Sequence, residues 1–245
     1  MTQTDTGAAS AATVPFIIGS VLFTLATYSI LFFDSSTIES LAGDERSVEM
    51  LGALAYAGAS VCCFLAARRL RATRSGSMDR LFLILLGVVF FVACGEELSW
   101  GQHLLGFKTP KPIEGLNRQA EFNLHNLNIW DSRDESGARR GGLAFFLNTN
   151  RFLDYFMVAL FLVGPLVVAS AGALGRLSRT LGFPDFGMRF AAPMLLNYAL
   201  TFVSLIATST SFMSRATSEI RESNSAFLCL MLTAYLWRRC ASSQD

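Results

Sequence analysis

The chain has 245 residues, of which 52% are hydrophobic and only 16% are charged, and its mean hydropathy is +0.42. Soluble domains carry about 25% charged residues. The composition therefore excludes a soluble globular enzyme, a disordered chain and a disulfide-rich secreted domain. The net charge of +1 excludes a nucleic-acid-binding protein that relies on a basic surface. We expect an integral membrane protein of the all-α class, with the lipid bilayer as its partner.

Six apolar blocks predict a single polytopic bundle of about six transmembrane helices. A helix needs about 20 residues to cross the hydrocarbon core of a bilayer. In chain order the predicted spans are 14–33, 50–67, 81–104, 152–171, 190–207 and 218–237.

The third and sixth blocks are too short to cross a membrane unless each helix continues through a charged turn. The third span must include Glu96 and Glu97, and it is predicted to run unbroken to at least Trp100. The sixth must include Glu219 and Glu222. Charged groups are costly at membrane depth, so they usually face the interior of the bundle and mark a functional site.

The distribution of basic residues predicts that both termini are cytoplasmic. Arginine is concentrated in the second loop, in the fourth loop and in the C-terminal tail, whereas the first loop is acidic. Short cytoplasmic loops carry the excess of Lys and Arg. The third loop, which six spans would place outside, is also basic and departs from this rule.

The third loop is predicted to contain an amphipathic helix over residues 113–130. Its apolar residues recur at three- and four-residue steps, which is the period of a helix. Glu121 and His125 are four residues apart on its polar face and can share a ligand or a hydrogen bond. One alternative is that the helix lies flat in the membrane interface. The other is that it caps the bundle and directs these two side chains at the carboxylates of the spans.

Carboxylates and imidazoles at this end predict acid–base chemistry or a divalent metal such as Zn, Mn or Fe. The candidate catalytic residues are Glu96, Glu97 and His125. The candidate metal ligands are Glu96, Glu97, His103, Glu121, His125, Glu219 and Glu222. The alternative is a structural ion pair with Arg151, Arg215 or Arg221. Ser99 lacks the G-x-S-x-G context of a nucleophile and is interpreted as a packing or hydrogen-bonding serine.

Two stretches of the sequence carry a resemblance. The run from Gly95 to His103, GEELSWGQH, is followed by Glu121 to Asn126, EFNLHN. Together they resemble a pattern, roughly EExSWGQ and then ExNLHN, of uncharacterised bacterial multi-pass inner-membrane proteins. The resemblance implies a location in the bacterial inner (plasma) membrane and implies that the two stretches belong together. It implies no activity.

Three functions fit these residues. The first is a hydrolase or transferase that acts on a lipid-linked substrate at the outer leaflet. In it, Glu96 and Glu97 are metal ligands or the general base, and Glu121 and His125 are further ligands or proton carriers. The second is a transporter or ion-coupled protein whose carboxylates bind a proton or cation. The third is a structural protein whose charges pair internally. A single outer cluster of carboxylates favours the enzyme, and the sequence predicts one cluster.

Overall fold

The computed structural model describes residues 3–42, 47–70, 77–117, 119–130, 141–142, 146, 149–208 and 210–242. These residues form helices and turns without a strand, and the one isolated bridge among them joins Asn117 and Leu127. The all-α prediction is therefore confirmed for the part of the chain that is described.

Four helices form the N-terminal part of the bundle. They are α1 (Gln3–Tyr28), the short α2 (Ser35–Ala42), α3 (Ser47–Arg69) and α4 (Ser77–Glu97). The 21 residues of α4 give a length of about 32 Å, which is enough to cross a hydrocarbon core of about 30 Å.

The helices of the middle part are short. Two single turns, α5 (Gln102–Leu105) and α6 (Lys111–Glu114), follow α4. The next membrane-length stretch consists of α7 (Thr149–Val158) and α8 (Gly164–Ala169), which are joined by the π-helical turn Ala159–Val163. Pro165 is the second residue after this turn. Since proline has no N–H and clashes with the carbonyl four residues before it, the wider turn allows the helix to continue.

The C-terminal part contains the helix at the centre of the bundle. It begins with α9 (Ala173–Thr180) and α10 (Ala191–Ala207) and ends with α11 (Ser211–Ser242). With 32 residues, α11 is about 48 Å long. It contacts α3, α1 and α10, and α3 also contacts α4. The side of the core between α3, α4 and α11 is built from small and aromatic residues, among them Ala59, Cys63 and Phe90, none of which is exposed.

Five stretches of the described residues are long and apolar enough to cross a membrane, by length and composition. They are Ala12–Phe32, Ser35–Arg69, Ser77–Glu97, Arg151–Ala169 and Met188–Ala207. Such stretches are those of an integral membrane protein. The sixth predicted span, 218–237, lies within α11, which is not among the five. The span count of six is therefore not confirmed.

Two predictions about the third span and the loop after it were wrong. The helix includes Glu96 and Glu97 as predicted, but it ends at Glu97 instead of continuing to Trp100 or residue 104. Ser99 and Trp100 have φ angles of 44° and 51°, which lie outside the right-handed helical region. The amphipathic helix predicted over 113–130 is not formed: Ile113 and Glu114 end the single turn α6, and the other described residues of that segment form turns, the isolated bridge and a 3₁₀ turn at Asn128–Trp130.

Candidate functional site

The end of α4 is a sharp turn that folds the chain back onto the helix. After Ser99 and Trp100, Gly101 also has a positive φ of 81°. The indole of Trp100 covers Gly95, where an added Cβ would lie 2.9 Å from ring atoms. The indole Nε1 of Trp100 donates a hydrogen bond of 2.8 Å to Oε1 of Glu96. The glycine in the motif is therefore needed because the tryptophan ring occupies the space of a side chain.

Glu96 holds the third loop against the end of α4. Its Oε2 accepts hydrogen bonds from the backbone N–H of Leu124 at 2.7 Å and of His125 at 2.9 Å. The Nδ1 of His125 lies 3.5 Å from the same oxygen. Three groups of the loop thus converge on one carboxylate oxygen. The stretches around Glu96 and His125, which the sequence analysis grouped together, are in direct contact.

The pKa of His125 is raised above its usual value. Burial lowers it, but the hydrogen bond with Glu96 and the negative charges of Glu97, Glu96 and Glu222 more than offset this effect. His125 is consequently held in its protonated form to a higher pH than an isolated histidine.

A second group of hydrogen bonds binds the loop to the turn after α4. Ser99 Oγ donates to Oε2 of Glu121 at 2.8 Å, and Nδ2 of Asn123 contacts both Oε2 of Glu121 at 2.6 Å and Oγ of Ser99 at 3.0 Å. Ser99, Glu121 and Asn123 are all buried. Oε1 of Gln102 also accepts a hydrogen bond of 2.6 Å from the backbone N–H of Phe122. These contacts make Ser99 a hydrogen-bonding serine, as the sequence analysis expected, and make Glu121 part of the loop's own framework.

Glu97 differs from every carboxylate around it. Its side chain is half-buried, and no described residue donates a hydrogen bond to it. Glu222, His125 and Glu49 lie within electrostatic reach of this carboxylate, as does Glu96. Four carboxylates and one histidine, contributed by α3, α4, α11 and the loop, therefore share this end of the bundle. We call Glu49, Glu96, Glu97, Glu222 and His125 the carboxylate cluster.

The carboxylate cluster continues into an ion-pair network between α7 and α11. Arg221 Nη1 contacts Oδ1 of Asp154 at 2.6 Å, and its Nη2 contacts Oε1 of Glu222 at 3.0 Å. Tyr198 of α10 donates a hydrogen bond of 2.8 Å to the same oxygen of Asp154. The Nε of Arg221 is buried and has no hydrogen-bond partner among the described residues. The structural ion pair considered for the site thus exists for Glu222, through Arg221, while Glu97 stands outside it.

The remaining candidate ligands are placed as follows. Glu219 lies on α11, one turn before Glu222, and is half-buried. The backbone of His103 lies in α5, and its side chain falls outside the described part of the structure. Among the described residues, no group of three or more His, Cys, Asp or Glu side chains is arranged to hold a metal. Binding of Zn, Mn or Fe stays a prediction.

The sequence analysis missed two members of this region. Glu49 falls in the acidic first loop of the predicted topology, but it lies in the first turn of α3. Its position directly before an apolar block was the available signal. A helix formed by that block begins at the end of the bundle where α4 ends. Tyr198 left no signal, since a tyrosine inside an apolar block is also common in a packed core.

Comparison with known proteins finds no family model, no curated protein and no solved structure that matches the chain. The function therefore has to be inferred from the chemistry of the carboxylate cluster and its surroundings.

Proposed function

We propose that this integral membrane protein is a hydrolase or transferase that acts on a lipid-linked substrate, with Glu97 as its general base. One observation carries the proposal: Glu97 accepts no hydrogen bond from a described residue although three other carboxylates lie within electrostatic reach. A carboxylate that no donor holds has its lone pairs available for a proton. A base of this kind can take a proton from an attacking water or hydroxyl group at neutral pH.

His125 supplies the complementary acid in this proposal. It lies within electrostatic reach of Glu97, and although burial lowers its pKa, the hydrogen bond with Glu96 and the nearby carboxylates raise that pKa above its usual value. A reaction that transfers an acyl or phosphoryl group needs a proton on the leaving group as well as a base for the nucleophile. Glu97 would accept the first proton and His125 would donate the second. Glu96 would act as a positioning residue, because it holds the backbone N–H and the ring of His125.

The location of the charges supports an enzyme over a transporter. Glu49 lies at the start of α3, Glu96 and Glu97 lie at the end of α4, and Asp154 lies in the first half of α7. These positions belong to one end of the bundle. A pathway through the membrane would need polar groups along its depth, whereas a surface enzyme needs them where a lipid headgroup can reach.

The test is a comparison of Glu97→Gln with Glu114→Gln, a matched change on the exposed turn α6. Each purified variant is incubated with total membrane lipids, and lipid products are followed by mass spectrometry. We expect a protein-dependent product with the parent chain and with Glu114→Gln, and a loss of at least about 100-fold with Glu97→Gln, the size typical of a removed general base. An equally active Glu97→Gln would contradict the proposal.

A divalent metal is a further element of this proposal, with Glu97 and Glu222 as its proposed ligands. Elemental analysis of the purified protein tests it separately. Zn, Mn or Fe bound in a one-to-one ratio and lost in Glu97→Gln would support a metal site. If the substitution leaves the metal content unchanged, the metal is bound by other residues.

Proton- or cation-coupled transport is the second candidate, favoured by the partly buried pairing of Arg221 with Asp154 and Glu222. Ion pairs between membrane helices can exchange partners when a proton binds. Vesicles containing the purified protein and a pH-sensitive dye distinguish the two candidates. A proton flux that Glu97→Gln abolishes, without any lipid product, would favour transport.

A further inference from the structure

The described part of the third loop presents apolar side chains to its surroundings. Leu105, Leu116, Leu124 and Ile129 are exposed by 77%, 59%, 60% and 62%. A soluble loop with this many exposed aliphatic residues would be unusual. The exposure does not come from a lack of structure, because the loop is bonded to Glu96 and is closed by the pairing of Asn117 with Leu127.

Two tryptophans fix the height of this loop relative to the helices. Trp100 packs edge-on against Phe91 of α4, with ring centroids 6.4 Å apart. Trp130 packs in the same way against Phe152 of α7 at 5.9 Å. Phe91 and Phe152 are themselves exposed by 59% and 41% and belong to membrane-length stretches. Tryptophan prefers the boundary between headgroups and hydrocarbon, so the two rings mark that boundary on both sides of the loop.

Leu124 lies at least as deep as this boundary. Its backbone N–H is bonded to Glu96, and Glu96 stands four residues before Trp100, in the last turn of α4. At this depth a backbone N–H must have a partner within the protein, and the carboxylate of Glu96 provides it. The side chain of Leu124 is thus exposed at the level that the two tryptophans mark.

We propose that the segment 116–130 is seated in the membrane interface, with Leu124 and Ile129 in contact with lipid. The occupant of this apolar surface is the bilayer, because the surface continues directly from the lipid-facing residues of α4 and α7. Lys108 and Lys111 are both exposed and lie on the same loop, where their charged ends can reach the headgroups. The inference is independent of the chemistry of Glu97.

The test measures the surroundings of each position in vesicles. Leu124 and Ile129 are replaced singly by a ketone-bearing phenylalanine derivative and spin-labelled, which leaves the native cysteines in place. Phe202, exposed by 66% in the stretch Met188–Ala207, is the lipid reference, and Glu114 on α6 is the aqueous reference. Collision rates are measured with oxygen, which enters lipid, and with a water-soluble nickel chelate.

We expect positions 124 and 129 to collide with oxygen several times more often than with the chelate, as position 202 does. Chelate accessibility like that of position 114 would overturn the inference and make the loop a solvated surface. Low accessibility to both reagents would overturn it as well, because it would indicate a covering protein surface such as a second copy of the chain. Should a label at 124 prevent folding, the label at 129 decides the question alone.

Discussion

Glu96 and Glu97 are neighbours in sequence with opposite surroundings. They point about 100° apart on the helix, so Glu96 reaches the loop while Glu97 reaches towards α3 and α11. A carboxylate offers about four acceptor positions. Glu96 accepts bonds from Trp100, Leu124 and His125, whereas Glu97 accepts none from the described residues. The first residue is therefore suited to holding the loop, and the second is available for a proton.

Replacement of Glu96 by alanine should release the loop. It leaves the N–H groups of Leu124 and His125 and the indole of Trp100 without their acceptor. Hydrogen bonds to charged groups contribute about 1.5–3 kcal/mol each, and hydrogen bonds to water replace part of this contribution when the acceptor is removed. We expect a loss of about 3 kcal/mol in the free energy of unfolding, measured by thermal unfolding in detergent micelles. The matched Glu114→Ala change should stay within about 0.5 kcal/mol. Equal melting temperatures for the two variants would contradict the role of Glu96.

The docking of the loop should weaken as the pH rises. Since the folded state raises the pKa of His125, the proton on His125 stabilises the folded loop fully below the unfolded pKa of about 6.5. That contribution is lost as the pH rises through the higher folded-state pKa. Hydrogen exchange at the amides of Leu124 and His125, corrected for intrinsic rates, should therefore show protection that falls above pH 6.5.

His125→Asn provides the control for this pH dependence. Asparagine cannot titrate. In this variant the backbone amides at positions 124 and 125 should therefore show a protection that no longer changes over the same pH range. The chain has only one other histidine, His103. A pH dependence retained in His125→Asn would assign the titration to another group.

At the scale of the elements, the sequence predicted the helices of the bundle well and the loop poorly. Long apolar blocks admit few structures in a membrane other than helices, so their positions were predictable. The loop was read as a helix from the spacing of its apolar residues. Its asparagines instead bond to nearby groups: Oδ1 of Asn117 accepts from the N–H of Gln119 and Glu121. Ala120 takes a φ of 55°. Local bonds of this kind compete with the helix.

The ion-pair network could not be predicted for a different reason. Asp154 and Arg221 are 67 residues apart in sequence and meet only because α7 and α11 are neighbours at a particular register. Periodicity within one helix does not determine the rotation of its neighbour. The sequence indicated which charged residues needed partners at membrane depth, but it did not determine which residues they would meet.

The contact between α3 and α11 depends on a glycine. A Cβ at Gly52 would lie 2.8 Å from Oγ and 3.3 Å from the backbone Cα of Ser223. Small residues allow membrane helices to approach closely. Although alanine favours a helix over glycine by about 1 kcal/mol, Gly52→Ala should lower the free energy of unfolding by about 1–3 kcal/mol, because the helices must separate. Thermal unfolding in micelles measures the change.

Gly19 offers the matched control for this contact. Its added Cβ would lie 3.6 Å from Sδ of Met231, an ordinary van der Waals distance. Gly19→Ala should therefore leave the stability unchanged or raise it slightly. If Gly52→Ala were as stable as Gly19→Ala, the close approach of α3 and α11 would not be essential to the fold.

At the scale of the whole molecule, the charged groups gather where several helices begin or end. The start of α3, the end of α4 and the third loop meet at α11, whose own first half carries Glu219, Arg221 and Glu222. The second half of α11 is apolar up to Trp237, where Arg69 lies 5.4 Å from the centre of the indole ring. Because α11 is longer than a bilayer is thick, it can place its polar turns at one membrane face and still reach the other.

The orientation of the chain decides which face of the membrane carries the carboxylate cluster, and the number of crossings decides whether the two termini share a side. If α11 crosses the bilayer together with the five apolar stretches, there are six crossings and the two termini lie on the same side. If it does not, there are five and they lie on opposite sides. The arginines of the second loop, of the fourth loop and of the C-terminal tail favour six crossings with both termini cytoplasmic. The carboxylate cluster then faces outward, towards the outer leaflet.

Reporter fusions at positions 45, 74 and 242 test this arrangement, with one reporter active only in the cytoplasm and another active only outside it. We expect the cytoplasmic reporter to be active at positions 74 and 242, and the external reporter at position 45. An external signal at position 242 with the other two unchanged would mean that α11 does not cross. Reversal at all three positions would place the carboxylate cluster at the cytoplasmic face. The proposed lipid-linked substrate would then be one of the inner leaflet and not of the outer leaflet.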